Sequence, residues 1–71
     1  MSAYYPTYAI REDLSAEDAR LLGEQQCDGP LELSDVTDMC AGYKVSAVLR
    51  DAAGSVVGRV DASGDYSLGS P

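Results

Sequence analysis

The last third of the chain alternates apolar and polar residues between short segments rich in aspartate and glycine. Over residues 43–50 every second side chain is apolar, namely Tyr43, Val45, Ala47 and Leu49. This period of two predicts a β-strand with one buried face. Residues 51–54 (Asp-Ala-Ala-Gly) predict a type I turn whose glycine takes a positive φ. The chain should then return as a strand over residues 55–61, turn at residues 62–64 and add a third strand over residues 65–68, which gives an antiparallel meander.

A first helix is predicted over residues 16–26. Ser15 is the expected N-cap, and Asp18 three residues later matches the acidic half of a capping box. Ala19 and Leu22 recur at helical spacing, which gives the helix one apolar side. The sequence Asp-Gly-Pro at residues 28–30 should then end the helix.

Residues 31–41 allow two interpretations. In the first, Pro30 is the first residue of a second helix that ends at Gly42 and places Leu33, Val36 and Cys40 on one side. In the second, a short strand over residues 31–33 precedes a helical turn that starts at Ser34 or Asp35. We favour the helix, because the apolar spacing after Leu33 is three and four rather than two.

Aromatic and β-branched residues surround Pro6 in residues 4–10, which suits an edge strand or an extended arm, with Tyr8 and Ile10 on one face. The predicted fold is therefore α+β: a three- to four-stranded antiparallel sheet, made of the C-terminal meander and an N-terminal edge strand, with one or two short helices on one face. Residues 1–71 form a single small acidic domain, frayed over about residues 68–71.

The net negative charge and the lack of histidine argue against several classes of function. The chain has 71 residues, with 12 Asp and Glu against 5 Lys and Arg, a formal charge of −7 and no histidine. We expect no direct binding to nucleic acid and none to anionic membranes, because both need a basic surface. Without histidine, neither a nucleophile with its usual base nor a tetrahedral zinc site can be assigned, so we expect no enzymatic activity, metal or cofactor.

The N-terminus lacks the features of a signal peptide, so we expect a cytoplasmic protein of a bacterial host cell. In that reducing compartment the two cysteines, Cys27 and Cys40, should remain free thiols, although they could in principle form a disulfide. The spacing Asp61-x-Ser63-x-Asp65 resembles the start of a calcium loop, but Tyr66 replaces the required glycine. We interpret it as a plain turn.

Acidic residues concentrate in the first part of the chain. All but three of the acids lie within residues 1–40, where Arg11 and Arg20 are the only basic residues. A row with steps of three and four residues runs along the first helix and its approach: Asp13, Glu17, Arg20, Glu24 and Asp28. Carboxylates four residues apart lie about 6 Å apart along a helix, a spacing that can imitate phosphates. The ordinary alternative is a solvated helix face.

The predicted partner-binding residues are Asp13, Glu17, Glu24 and Asp28, with Tyr4 and Tyr5 as possible aromatic anchors. Tyr43 and Tyr66 are expected to pack on the sheet. In size and charge the chain is similar to phage-encoded antagonists that imitate DNA, such as anti-CRISPR and anti-restriction proteins. This favours an acidic inhibitor that binds a basic, nucleic-acid-binding site on a larger protein complex. The alternative is a structural or assembly module, such as a homodimer or a phage particle accessory, formed by edge-strand pairing.

Overall fold

Two helices cover one face of a four-stranded antiparallel sheet. The computed structural model describes residues 3–27 and 29–69. Its elements, in chain order, are β1 (Tyr5–Tyr8), α1 (Ala16–Cys27), α2 (Leu33–Tyr43), β2 (Ala47–Arg50), β3 (Val56–Val60) and β4 (Tyr66–Leu68). The strands lie side by side in the order β1-β2-β3-β4, and each pairs antiparallel with the next. The predicted α+β architecture is therefore confirmed, with the fourth strand supplied by the N-terminal segment.

The two turns of the meander use the same local device. Asp51 Oδ1 accepts hydrogen bonds from the backbone N–H groups of Ala53 and Ser55, at 2.9 and 3.0 Å. Gly54 follows with a φ of +88°, a conformation that side-chain-bearing residues rarely adopt. An aspartate that satisfies backbone donors and a glycine that reverses the chain are both local features, so the sequence predicts this hairpin well.

The core lies between the helices and the sheet. Its buried members come from β1, from both helices and from residues 45–60: Tyr8, Leu22, Val36, Cys40, Val45, Ala47, Leu49 and Val60. Val45, Ala47 and Leu49 are buried as the alternating pattern predicts. Tyr43, which the same pattern places in the strand, is instead the last residue of α2 and packs half-buried against the core.

Helix α1 begins where the sequence predicts and extends one residue further. The hydroxyl of Ser15 accepts a hydrogen bond from the backbone N–H of Asp18 at 3.1 Å, which satisfies one of the free donors at the helix start. Leu22 is completely buried, whereas Glu17 and Glu24 are exposed. The helix therefore presents its charged residues on the side opposite to the sheet.

The second helix confirms the favoured interpretation but corrects both of its ends. Leu31 precedes the helix in extended conformation and exchanges two backbone hydrogen bonds of 2.9 Å with Tyr4, so Pro30 is not the first helical residue. At the other end Gly42 lies inside the helix, and the chain leaves it at Lys44, which has a φ of +57°. The N–H of Val45 closes this end by donating to the carbonyl of Cys40.

The N-terminal strand lies at one edge of the sheet, where Pro6 is tolerated because the missing N–H would point away from β2. Ile10 does not share the buried face of Tyr8. Its N–H donates to the carbonyl of Tyr8, which turns the chain away from the sheet and leaves Ile10 44% exposed.

At the end of the described chain, Leu68 belongs to β4, and the N–H of Gly69 donates to the carbonyl of Val57 at 2.9 Å. Residues 70 and 71 lie outside the described residues, so the expected fraying stays a prediction. Within residues 3–27 and 29–69, neither helix is both long and apolar enough to cross a membrane.

Candidate interaction surface

The outer face of α1 carries three charged residues, Glu17, Arg20 and Glu24, all of them exposed. They lie at steps of three and four residues, so they form one row opposite Leu22. Arg20 Nη1 lies 2.9 Å from Glu24 Oε1. This ion pair neutralises part of the row and leaves Glu17 as the exposed acid near its start.

The two ends of the predicted acidic row differ. Asp13 is exposed in the turn before α1, and its Oδ1 lies 3.0 Å from Arg11 Nε. Asp28 lies outside the described residues, so the contact predicted for it stays a prediction. Exposed ion pairs of this kind contribute little free energy, typically about 0–1 kcal/mol, and exchange easily for another partner. The pairs of Asp13 and Glu24 therefore reduce the local charge without removing these carboxylates from the accessible surface.

Helix α2 extends the acidic surface. Asp35 and Asp38 are exposed, and Glu32 is exposed at the N-cap position without a capping hydrogen bond from its side chain. We call the exposed acids on or beside the two helices the acidic surface: Glu12, Asp13, Glu17, Glu24, Glu32, Asp35 and Asp38. Because both helices cover the same face of the sheet, this charge is concentrated on the helical layer.

The two N-terminal tyrosines lie apart from the acidic surface. Tyr4 is half-buried and packs against the core beside its pairing partner Leu31. Tyr5 is also half-buried, and its position opposite Arg50 places it on the face of the sheet that the helices leave open. The structure therefore does not bring the tyrosines and the acids into one patch.

The open face of the sheet carries basic residues that the sequence pattern does not mark as a site. The register of the strands places Arg50 next to Tyr5, and Arg59 between Val48 and Ser67. Arg50 donates to the carbonyl of Gly54 in its own hairpin turn at 3.2 Å, whereas Arg59 is exposed. The alternation of residues 47–50 contains the signal for this face, but only the strand order shows that the two arginines share it.

The turn at residues 61–65 is a structural turn, as predicted. Asp61 Oδ1 accepts hydrogen bonds from the hydroxyl and N–H of Ser63 and from the N–H of Asp65. These bonds to Ser63 are the main cause that lowers the pKa of Asp61. Within the described part of the chain, no group of three or more acidic or cysteine side chains is arranged to hold a metal ion.

Two titratable groups in the core are held neutral. Burial raises the pKa of the Cys40 thiol to about 11, and the nearby negative charge of Asp61 adds to the effect. Burial likewise raises the pKa of Tyr8 to about 12, and its hydroxyl donates to Gln25 Oε1 at 3.0 Å. Cys40 is a free, buried thiol. The side chain of Cys27 lies outside the described part of the structure, so the expectation for that thiol stays a prediction.

Strand β4 is the most exposed element of the sheet. Tyr66 and Leu68 are 56% and 48% exposed, which corrects the expectation that Tyr66 packs on the sheet. Helix α1 packs against β1 and α2 against β3, so β4 extends beyond the helical layer. Its edge also borders a shallow depression, lined by Arg59, Asp61, Asp65, Tyr66 and Ser67.

Comparison of the chain with protein-family models, with curated proteins and with solved structures gives no match.

Proposed function

We propose that this protein is a small, non-enzymatic acidic inhibitor that occupies a basic, nucleic-acid-binding site on a larger protein complex. The observation that carries the proposal is the acidic surface, with seven exposed carboxylates on or beside the two helices. A basic nucleic-acid-binding site attracts such a surface at long range, as it attracts a phosphate backbone, and added salt screens this attraction.

Glu17 and Glu24 are the strongest candidates for contact with the partner. They lie two helical turns apart on the outer face of α1, about 10 Å along the helix axis. The exposed pair between Arg20 and Glu24 can open at low cost, and Glu24 then becomes available to a lysine or arginine of the partner. Asp13 extends this row at the entrance of the helix, and Asp35 and Asp38 widen it across α2.

The test starts with affinity capture of the tagged protein from a nuclease-treated bacterial lysate. A captured nucleic-acid-handling complex should be released both by salt and by an added oligonucleotide, because the proposal makes the protein and nucleic acid compete for one site. A complex that the oligonucleotide leaves in place would contradict the proposal.

A pair of variants with equal net charge then separates a specific surface from general acidity. Glu17→Gln with Glu24→Gln removes two charges from α1, whereas Thr7→Lys with Ala9→Lys adds two charges at exposed positions near β1. Both variants raise the formal charge of −7 by two. We expect the first to weaken binding at least tenfold and the second to retain it. Equal weakening by both would show that total charge, not this surface, governs binding.

A structural or assembly module remains the second candidate, and the exposed edge strand β4 favours it. A module of this kind should give an assembly whose mass does not decrease in high salt, whereas an electrostatic complex with a basic partner should dissociate. The native mass of the complex captured from the lysate, measured at low and high salt, distinguishes the two candidates, whereas a dimer of the purified protein alone is compatible with both.

A further inference from the structure

The two edges of the sheet are built differently, and β1 is closed to further pairing. The N–H of Ala9 donates to the carbonyl of Ser46, so the alternation of an antiparallel ladder directs the backbone groups of Pro6 and Tyr8 outward. Pro6 has no N–H to offer. The N–H of Tyr8 donates to the side-chain oxygen Oε1 of Gln26 from α1. This edge therefore has no free outward N–H between Pro6 and Tyr8 to donate to another strand.

The edge at β4 is open. Gly69 donates to the carbonyl of Val57 and Asp61 to that of Asp65, so the same alternation directs the N–H and C=O groups of Tyr66 and Leu68 away from β3. Among the described residues these outward groups have no hydrogen-bond partner. The strand also contains no charged residue and no proline, the usual devices that prevent edge-to-edge pairing.

We propose that β4 is a homodimerisation edge, at which two copies of this chain pair β4 to β4 antiparallel about a two-fold axis beside Ser67. This register places Tyr66 of each copy opposite Leu68 of the other, so the dimer contains two equivalent Tyr66–Leu68 pairs. It uses every outward N–H and C=O of the strand and forms four backbone hydrogen bonds. Registers centred on Tyr66 or on Leu68 would form only two within the strand. The result is one continuous sheet of eight strands, with all four helices on the same face.

The side chains also favour a second copy as the occupant. Tyr66 and Leu68 lie on the helical side of the sheet. Across the axis, Tyr66 of each copy therefore packs against Leu68 of the other, and both side chains lose contact with water. On the open side Ser67 faces Ser67 and Asp65 faces Gly69, so no two like charges lie directly opposite each other at the seam. The inference does not rest on the acidic surface and stands or falls separately from the proposed inhibitor function.

The first test is the mass of the whole chain as a function of concentration. A three-residue edge buries less area than a standard stable interface, so we expect a dissociation constant on the order of 10 µM to 1 mM. Sedimentation equilibrium should show a rise from 7.5 kDa toward twice that mass. Added salt should strengthen the dimer, because it screens repulsion between two acidic copies. A protein that stays monomeric at about 2 mM in both low and high salt would overturn the proposal.

A cysteine substitution tests the register. In this pairing Ser67 faces Ser67 of the second copy in a non-hydrogen-bonded pair, where Cα atoms are about 4.5 Å apart, within the range of a disulfide. Ser67→Cys should therefore give a disulfide-linked dimer under mild oxidation. Thr7→Cys is the matched control, because Thr7 lies on the same open face but at the closed edge. Equal cross-linking of the two variants would contradict the register.

Charge substitutions test the edge itself. Tyr66→Lys with Leu68→Lys places lysine opposite lysine and should weaken dimerisation at least tenfold, as should the corresponding double substitution to aspartate. An equimolar mixture of the two variants should dimerise again, because lysine then faces aspartate. Ile10→Lys is the control, since Ile10 is 44% exposed but distant from β4, and it should not alter dimerisation. Circular dichroism confirms folding of each variant. Folded variants that show neither the loss nor the rescue would reject β4 as the interface.

Discussion

Gly58 should be the position of the sheet least tolerant of a larger residue. It lies in β3 on the buried face, paired with Leu49 on one side and Leu68 on the other. A β-carbon at this position would lie 2.7 Å from Leu68 Cδ2, 2.9 Å from the carbonyl oxygen of Ser67 and 3.3 Å from Leu49 Cδ1. Leu68 can move because it is half exposed, but the Ser67 carbonyl belongs to the paired backbone and cannot move without opening the sheet.

We therefore expect Gly58→Ala to lower the free energy of unfolding by about 1–2 kcal/mol. Overpacking in a core costs about 1–3 kcal/mol, and the lower backbone entropy of alanine offsets about 0.5–1 kcal/mol of it. In a domain of this size the loss corresponds to a decrease in Tm of about 5–15 °C. Urea denaturation followed by circular dichroism, at a concentration where the protein is monomeric, measures the change directly.

Two further variants make this prediction decisive. In a Leu68→Ala background the cost of Gly58→Ala should fall by about half, because the contact with Leu68 disappears and that with the Ser67 carbonyl remains. Gly23→Ala makes the same chemical change inside α1, where an added β-carbon meets nothing within 4 Å. It should stabilise the protein by up to about 1 kcal/mol. A Gly58→Ala protein as stable as the unsubstituted chain would refute the packing argument.

Three other predictions concern caps and pH. Lys44→Gly should be about 1 kcal/mol more stable than Lys44→Ala in urea denaturation. Both variants remove the charge, but only glycine adopts a φ of +57° without strain, so equal stability of the two would contradict the prediction. Ser15→Ala should lower the free energy of unfolding by about 1 kcal/mol because it removes the N-cap of α1, whereas Ser15→Asp keeps a capping side chain and should retain the stability. Equal losses in the two variants would rule out capping. Stability should fall as pH rises from about 9 to 12, because two buried groups lose their protons more readily in the unfolded chain. The pKa of Cys40 is about 11 in the folded state against 9.0 when unfolded, and that of Tyr8 is about 12 against 10.0. Tyr8→Phe should reduce the fall between pH 10 and 12 in a urea titration, and an unchanged slope there would oppose this assignment.

The elements that the sequence predicts well are those whose causes lie within a few residues. Ser15 caps α1 through the N–H of Asp18, and Asp51 organises its turn through Ala53 and Ser55. Burial of alternate residues in β2 likewise follows from the pattern of the strand itself. For these reasons the sequence predicts α1, the turns and the meander, whereas for α2 it only favours a helix over a short strand and a turn.

The candidate surface is only partly predictable. The concentration of acids in the first forty residues is visible in the sequence, and the structure places those it describes on or beside the helical layer. The ion pair of Arg20 with Glu24 is also local, because residues four apart on a helix are neighbours. The separation of Tyr4 and Tyr5 from the acids depends instead on how the elements are arranged in space, which sequence spacing alone does not determine.

The sequence by itself determined the composition of charge, the helix cap, the turns and the apolar faces, because each depends on neighbouring residues. Only the tertiary structure decided which edge of the sheet remains open. The β1 edge is closed by Pro6 and by Gln26, which lies 18 residues from the N–H of Tyr8 that it binds. The β4 edge stays open because neither helix covers it. Backbone donors are satisfied by whatever group the fold brings near them, and that group is often distant along the chain.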